Sequence, residues 1–228
     1  MISKIRKLEL VIFDMAGTTI DDRVDGMPLV LKAYDDAFRN YGIVVPMETL
    51  NKHRGRDKRT VINEFGGEKA RQIYEHFINM LFANAKKVKE VEGASETFDF
   101  LHERGIRVAT NTGFPQDVSK AIIENLGWEK AGRIDFWMCS EMVGKSRPDP
   151  SMIFETMKHF HIKNPLNVIK VDDTVIGLEE GKRANVLTLG VLTGSQSREM
   201  LQTAKPDDII PSVKELPHYL KLKKIVKN

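Results

Sequence analysis

Leu8-Glu9-Leu10-Val11-Ile12-Phe13-Asp14-Met15-Ala16-Gly17-Thr18-Thr19 is the stretch whose reading decides the fold. The β-forming run Leu10 to Phe13 ends abruptly in a carboxylate and then a small polar turn. In an open α/β sheet, ligands bind beyond the carboxyl ends of the strands, so Asp14 points where chemistry occurs. Gly17 lets the backbone come close to a ligand, and Thr18 and Thr19 add hydroxyls beside exposed N–H groups. A buried strand ending in a single acid is a common object. Its meaning depends on whether the rest of the chain supplies the partners such an acid needs.

Outward from this stretch the pattern changes twice. Asp21 to Pro28 reads as a polar loop, after which Leu29, Ala33, Ala37 and Tyr41 mark one face of a helix that stops at Gly42. Further helices are expected over Met47–His53 and Arg56–Phe65. A long amphipathic one follows from about Glu68 to Lys87, with Ile73, Phe77, Met80, Leu81 and Ala85 on one stripe. Residues 21–90 thus read as a run of helices with no clear strand, the form an inserted helical cap domain would take. From Gly93 onward strands and helices alternate. Strands are expected at Ile106–Thr110, Phe136–Ser140, Val168–Val171 and Val186–Val191, the last clear one, with helices between them. The implied fold is α/β: a Rossmann-like, doubly wound parallel sheet formed by residues 1–20 and 91–228, with the cap inserted.

The 228 residues hold 29% charged and 41% hydrophobic residues, with a formal net charge of +3. That surplus is too small to argue for nucleic acid, and Lys221, Lys223, Lys224 and Lys227 read as a solvated helix end. No apolar run reaches the roughly 18 residues of a membrane span. The basic start Met1-Ile2-Ser3-Lys4-Ile5-Arg6-Lys7 leads towards a short strand without a cleavage-like site. Cys139, the single cysteine, excludes an internal disulfide framework and lies in an apolar stretch as a buried thiol. A cytoplasmic protein is the expectation. His53, His76, His102, His159, His161 and His218 share no metal-ligand spacing and read as core or surface fillers.

Four signals stand in chain order: Asp14 with its turn, Thr110-Asn111 after a strand, Arg147, and Asp172-Asp173 after a strand. Together they form a kit for moving a phosphoryl group. A carboxylate can attack phosphorus, hydroxyl and N–H groups can hold its oxygens, and a guanidinium can neutralise them in a forked geometry. A second acidic cluster can share a magnesium ion with the first acid, because hard cations choose oxygen ligands.

This order and spacing resemble the haloacid dehalogenase superfamily, over core and insertion alike. Two details resemble its phosphonatase branch: Asp14-Met15-Ala16-Gly17-Thr18, with alanine where most superfamily phosphatases carry a second aspartate, and Arg147-Pro148, where lysine is usual. The run Val171-Asp172-Asp173-Thr174-Val175-Ile176-Gly177 is also similar. The resemblance implies a nucleophilic Asp14 and phosphoryl ligands among Gly17, Thr18, Thr110, Asn111 and Arg147. It implies magnesium at Asp14, the Ala16 position, Asp172 and Asp173, with Asp172 as partner ligand or orienter of Arg147. Gly177 stands where many relatives carry another acid.

Ala16 cannot protonate a leaving group or activate water, so the substrate needs a leaving group stabilised in another way. The phosphonatase pattern supplies a cap lysine that forms a Schiff base with an aldehyde, placed three residues after a glycine. Gly55-Arg56-Asp57-Lys58 has that spacing and makes Lys58 the candidate. The same segment, Lys52 to Arg59, is rich in cations, with Arg54 and Val61 where the phosphonatase pattern has methionine and histidine. A substrate-facing basic loop, an anion-binding lysine or a solvated helix start are therefore its other readings. Asp21 and Asp22 could contribute acid–base work, but loop capping is the reading preferred for them. The expected function is magnesium-dependent hydrolysis of a small phosphonate or phosphate compound. A small-molecule phosphatase and a non-catalytic phospho-ligand-binding module are the alternatives, and a homodimer through a cap helix is left open.

Overall fold

In the computed structural model of the chain, residues 7–24 and 26–226 are described. The basic start up to Arg6, and Lys227, lie outside them. β1 (Leu10–Phe13) is wholly buried. The chain then leaves through β2 (Ile20–Asp21) and a short antiparallel pair, β3 (Arg23–Val24) and β4 (Met27–Pro28). Four helices follow: α1 (Leu29–Asn40), α2 (Met47–Lys52), α3 (Lys58–Gly66) and α4 (Ala70–Ala85). The chain returns through β5 (Lys89–Glu90), which pairs antiparallel with β2, Ile20 opposite Glu90 and Asp21 opposite Lys89. The helical run between β2 and β5 is as expected, but the short pairs that frame it are not. Two-residue ladders are too brief to leave a periodicity in the sequence.

Beyond β5 the alternation is regular: α5 (Ala94–His102), β6 (Arg107–Thr112), α6 (Gln116–Leu126), β7 (Phe136–Cys139), α7 (Ser140–Val143), α8 (Ser151–His159), β8 (Val168–Asp172), α9 (Val175–Arg183) and β9 (Leu187–Val191). After α10 (Arg198–Thr203), a strand beyond the last one expected, β10 (Asp208–Ile210), adds itself to β9, and α11 (Leu216–Leu222) follows. The sheet order is β10-β9-β8-β1-β6-β7, with every neighbouring pair parallel.

The period of two along β1 sends its side chains to opposite faces. Val11 and Phe13 enter one core, where Phe13 meets Phe98 of α5 edge-on at 5.2 Å and Phe98 meets Trp128 at 5.3 Å. Leu10 and Ile12 enter the other, against Ile153 and Met157 of α8. Each such side chain contributes about 1.5–3 kcal/mol by leaving water. The helical run has its own packing: Ile73, Phe77, Leu81 and Ala85 of α4 are buried, and Phe77 stacks on Tyr34 of α1 at 4.6 Å. Because β1 lies between β6 and β8, the carboxyl ends of these three strands form one edge, with Asp14, Thr110 and Asp172-Asp173 side by side.

Candidate active site

Past β1 the chain turns tightly. The amides of Thr18, Thr19 and Ile20 all donate to the Met15 carbonyl, and the Thr19 hydroxyl donates to that of Asp14 at 2.8 Å. Gly17 takes φ +90°, a left-handed conformation that glycine adopts without strain. A Cβ there would meet Asp173 Oδ2 at 2.5 Å, and one on Gly194 would meet the same atom at 1.8 Å. These two glycines cradle the Asp173 carboxylate. Thr18 donates its hydroxyl to Asp173 Oδ1 at 3.0 Å, so Gly17 and Thr18 hold an acid in place as well as lining the edge.

The two acids after β8 differ in their surroundings. Asp172 Oδ1 accepts from the amide and hydroxyl of Thr174 at 2.9 and 2.7 Å, and Oδ2 lies 2.9 Å from Lys170 Nζ and 3.5 Å from Arg147. Burial opposes its ionisation, but Lys170 and Arg147 outweigh it and hold Asp172 below the usual carboxylate range. Asp173 Oδ2, by contrast, is buried without a partner. Burial pushes Asp173 up to about 8, with Asp14 and Asp172 adding to the shift and Arg54 opposing it. Burial and Asp172 likewise raise the Asp14 carboxyl against Arg147 and Lys170. Oxygens of Asp14, Asp172 and Asp173 lie within 4.8 Å of one another. Three buried carboxylates so close repel each other when ionised, and Asp173 keeps an unpartnered oxygen; a divalent cation fits this donor set.

Thr110 lies within β6 opposite Phe13, two residues before the strand ends, and its hydroxyl is buried without a partner. Arg147 is buried and spreads its three nitrogens over the edge. Nη1 donates to Asp14 Oδ1 at 2.6 Å, Nη2 donates to the Asn111 carbonyl and Oδ1 at 2.8 and 2.7 Å, and Nε lies 2.9 Å from Glu180 Oε2 as an ion pair. Asn111, expected as a phosphoryl ligand, has its Oδ1 bound to Arg147 and Lys170 and its amide directed at Glu180. It stands behind the edge and orients Arg147.

From the helical run, Lys58 reaches the same edge. It is the first residue of α3 and only 4% exposed, which overturns the reading of a solvated helix start. Its Nζ donates to the Arg56 carbonyl at 3.0 Å and lies 5.7 Å from the centre of the Phe114 ring. Burial lowers its pKa to about 8, helped by Arg54 and Arg147 and opposed by Asp14. The segment before it is pressed onto the sheet domain. The Asp57 amide donates to Ser146 Oγ at 2.8 Å, Asp57 Oδ2 accepts from Ser140 at 2.9 Å, and its Oδ1 caps α3 through Thr60 N. Gly55, at φ +87°, leaves room for Thr174, whose Oγ1 a Cβ would approach to 2.7 Å.

Three charged side chains were missed by sequence reasoning. Asp22, expected as a loop cap, is 3% exposed and binds Arg54, whose Nη2 also lies 3.4 Å from the Ala16 carbonyl. Lys170 and Glu180 are wholly buried behind Arg147. The available signal was Lys170 itself, a charge in the middle of an otherwise apolar strand at the centre of a parallel sheet.

Fold, strand-end acids and buried guanidinium together define a hydrolase of the haloacid dehalogenase type. The chain belongs to the haloacid dehalogenase-like hydrolases, whose family model matches residues 11–191. Within that family it is similar to phosphonoacetaldehyde hydrolases. The protein of that name from Bordetella pertussis is 28% identical over 94% of this chain and 91% of its own, and that from Bacteroides fragilis 27% over 91% and 84%. A solved phosphonoacetaldehyde hydrolase-like protein from Oleispira antarctica superposes with a TM-score of 0.82 at 23% identity, covering 98% of this chain and 97% of its own. A hydrolase from Pseudomonas syringae does so with a TM-score of 0.84 at 16% identity, covering 94% and 98%. These two likenesses speak for the fold. No helix among the described residues is long and apolar enough to cross a membrane.

Proposed function

We propose that this enzyme hydrolyses the carbon–phosphorus bond of a small phosphonate aldehyde, phosphonoacetaldehyde or a close analogue, through an aspartyl-phosphate on Asp14. The observation that carries the reading is the buried Lys58 amine, with a pKa of about 8, delivered to an edge where Ala16 offers no acid. A lysine so placed sheds its proton around pH 8, well below an ordinary lysine, and can then attack a carbonyl carbon. Lys58 condenses with the substrate aldehyde, releasing water and leaving an iminium. The Asp14 carboxylate then attacks phosphorus while the breaking C–P bond sends its electron pair into the iminium, giving an enamine. Protonation at carbon and hydrolysis release acetaldehyde and regenerate Lys58. Water cleaves the acyl phosphate to phosphate and Asp14.

Thr110 and Arg147 hold the phosphoryl oxygens, Arg147 through the Nη1 end that it places against Asp14. Asp14, the Ala16 carbonyl and Asp173 would hold magnesium, with Asp172 beside them; when bound, the ion supplies charge neutralisation at the phosphoryl group. Residues 21–90 act as a cap that excludes bulk water and selects the substrate. Borohydride trapping with phosphonoacetaldehyde tests the reading. A covalent adduct on Lys58, absent in Lys58→Ala, is expected, together with loss of phosphate release in Asp14→Asn. Turnover of phosphonoacetaldehyde with no adduct on Lys58, or no turnover of it at all, would sink it. Magnesium-dependent release of phosphate from ordinary esters alone would make the enzyme a small-molecule phosphatase.

A further inference from the structure

Behind the phosphoryl edge lies a second layer of buried charge. Lys170 projects from the middle of β8, wholly shielded from solvent. Its Nζ donates to Asn111 Oδ1 at 2.5 Å, and lies 2.9 Å from Asp172 Oδ2 and 3.9 Å from Glu180 Oε2. None of these contacts is with Asp14. Each of the three partners, however, touches Arg147: Asn111 at 2.7 Å, Glu180 at 2.9 Å and Asp172 at 3.5 Å. The fold makes room for this arrangement. A Cβ on Gly181 of α9 would lie 3.1 Å from Lys170 Cβ and 3.2 Å from its Cγ, so that glycine lets the helix close over the lysine stem.

We infer that Lys170 is a positioning residue of the phosphoryl site, fixing Asn111, Asp172 and Glu180 so that the Arg147 guanidinium has a single placement against Asp14. Asp14, Asp172 and Glu180 bring three carboxylates around one guanidinium. A lone Arg147 could tilt towards any of them. Lys170 holds Asp172 and approaches Glu180 from the far side, and it ties down the Asn111 amide that receives Nη2. Arg147 Nη1 is then committed to Asp14 at 2.6 Å, well inside its 3.5 Å to Asp172. Buried ionic groups that specify one arrangement among several are the best-attested use of such networks. A misplacement of about 1 Å at a catalytic group costs on the order of 10²-fold in rate.

The inference rests on the reading of Arg147 as a phosphoryl ligand, and its test separates the two. The Arg147 Nε–Hε NMR resonance, assigned with Arg147→Lys, reports guanidinium placement whatever the substrate is. In Lys170→Met that resonance should shift or broaden, and kcat for phosphonoacetaldehyde should fall about 10–100-fold while KM changes less than threefold. Lys170→Arg should restore most of both. Because Lys170→Met leaves the acids uncompensated and could unfold the chain, Lys170→Met/Glu180→Gln keeps the net charge of the cluster. It should fold and remain slow, because Asn111 and Asp172 have lost the amine that fixes them. Wild-type kcat in either folded Met variant, or an unmoved Arg147 resonance, would overturn the inference. A shifted resonance in a protein that does not turn over phosphonoacetaldehyde would uphold the positioning role and overturn the proposed substrate.

Discussion

The Lys58 ammonium donates to the Arg56 carbonyl at 3.0 Å and faces Phe114, in a setting from which water is nearly excluded. Burial penalises the charged form of an amine, and here the depression reaches about 8 from an ordinary 10.5. The sign for reactivity follows: below about 8 the amine is protonated and cannot attack a carbonyl, and above it the free base dominates. Borohydride trapping at fixed phosphonoacetaldehyde should therefore rise through a midpoint near 8 and level off well before 10. A rate still climbing at 10 would mean an ordinary, solvated lysine. The same residue shows where a sequence stops informing. Gly55-Arg56-Asp57-Lys58 gave the spacing, but four further cations within Lys52–Arg59 made a solvated segment look as reasonable. Burial there is decided by partners remote in sequence. Arg54 is neutralised by Asp22, and Arg56 by Glu64 at 2.9 Å, so the loop can dock without carrying naked charge.

At the scale of elements, α3 matters through how its first turn meets the carboxyl edge of the sheet. Asp57 caps the helix and at the same time binds Ser140 and Ser146, one residue before Arg147. Capping and docking are thus the same contact, and Lys58 is placed by both. On the other side, Gly113 after β6 lies flush against the loop: a Cβ there would come to 2.5 Å from the Arg56 carbonyl and 2.9 Å from that of Gly55. Those are main-chain atoms that no rotamer change can clear. Gly113→Ala should push the loop off the sheet and take away the acceptor that holds Lys58. The trapping midpoint should move upward from about 8 towards the ordinary lysine value, and phosphate release should fall about 10–100-fold, with circular dichroism unchanged. A variant with both midpoint and turnover of the wild type would show that the loop docks elsewhere.

For the molecule as a whole, the sheet domain was legible because its strands are apolar runs that end in polar residues, and parallel order then puts those ends on one edge. Asp14, Thr110 and Asp172-Asp173 could be placed from that rule, whereas Arg147, in the turn between α7 and α8, was singled out by its place in the chain and the resemblance of Arg147-Pro148. Asn111, Lys170 and Glu180 could not be ranked, since their roles come from contacts 36, 59 and 69 positions apart that no local pattern encodes. β10 and the ribbons framing the helical run were too short to register. The same edge makes a prediction about the stability of the entire chain. Asp14, Asp172 and Asp173 converge within 4.8 Å, yet Lys170 pairs with Asp172 and Arg147 is shared between Asp14 and Glu180, while Asp173 keeps an unpartnered buried oxygen. The native state therefore carries repulsion that the unfolded chain, with its acids dispersed in water, does not. A divalent cation that binds only the folded arrangement stabilises it by about 2.7 kcal/mol at a hundred times its dissociation constant. For a chain of this size that corresponds to a rise in melting temperature of roughly 5–10 °C. Scanning calorimetry with magnesium against chelator should show that rise. Asp173→Asn should abolish it, and in chelator above about pH 8, where Asp173 would otherwise ionise, should melt higher than the wild type, since one buried charge and its repulsion are gone. A melting temperature that ignores magnesium in the wild type would remove the cation from the site.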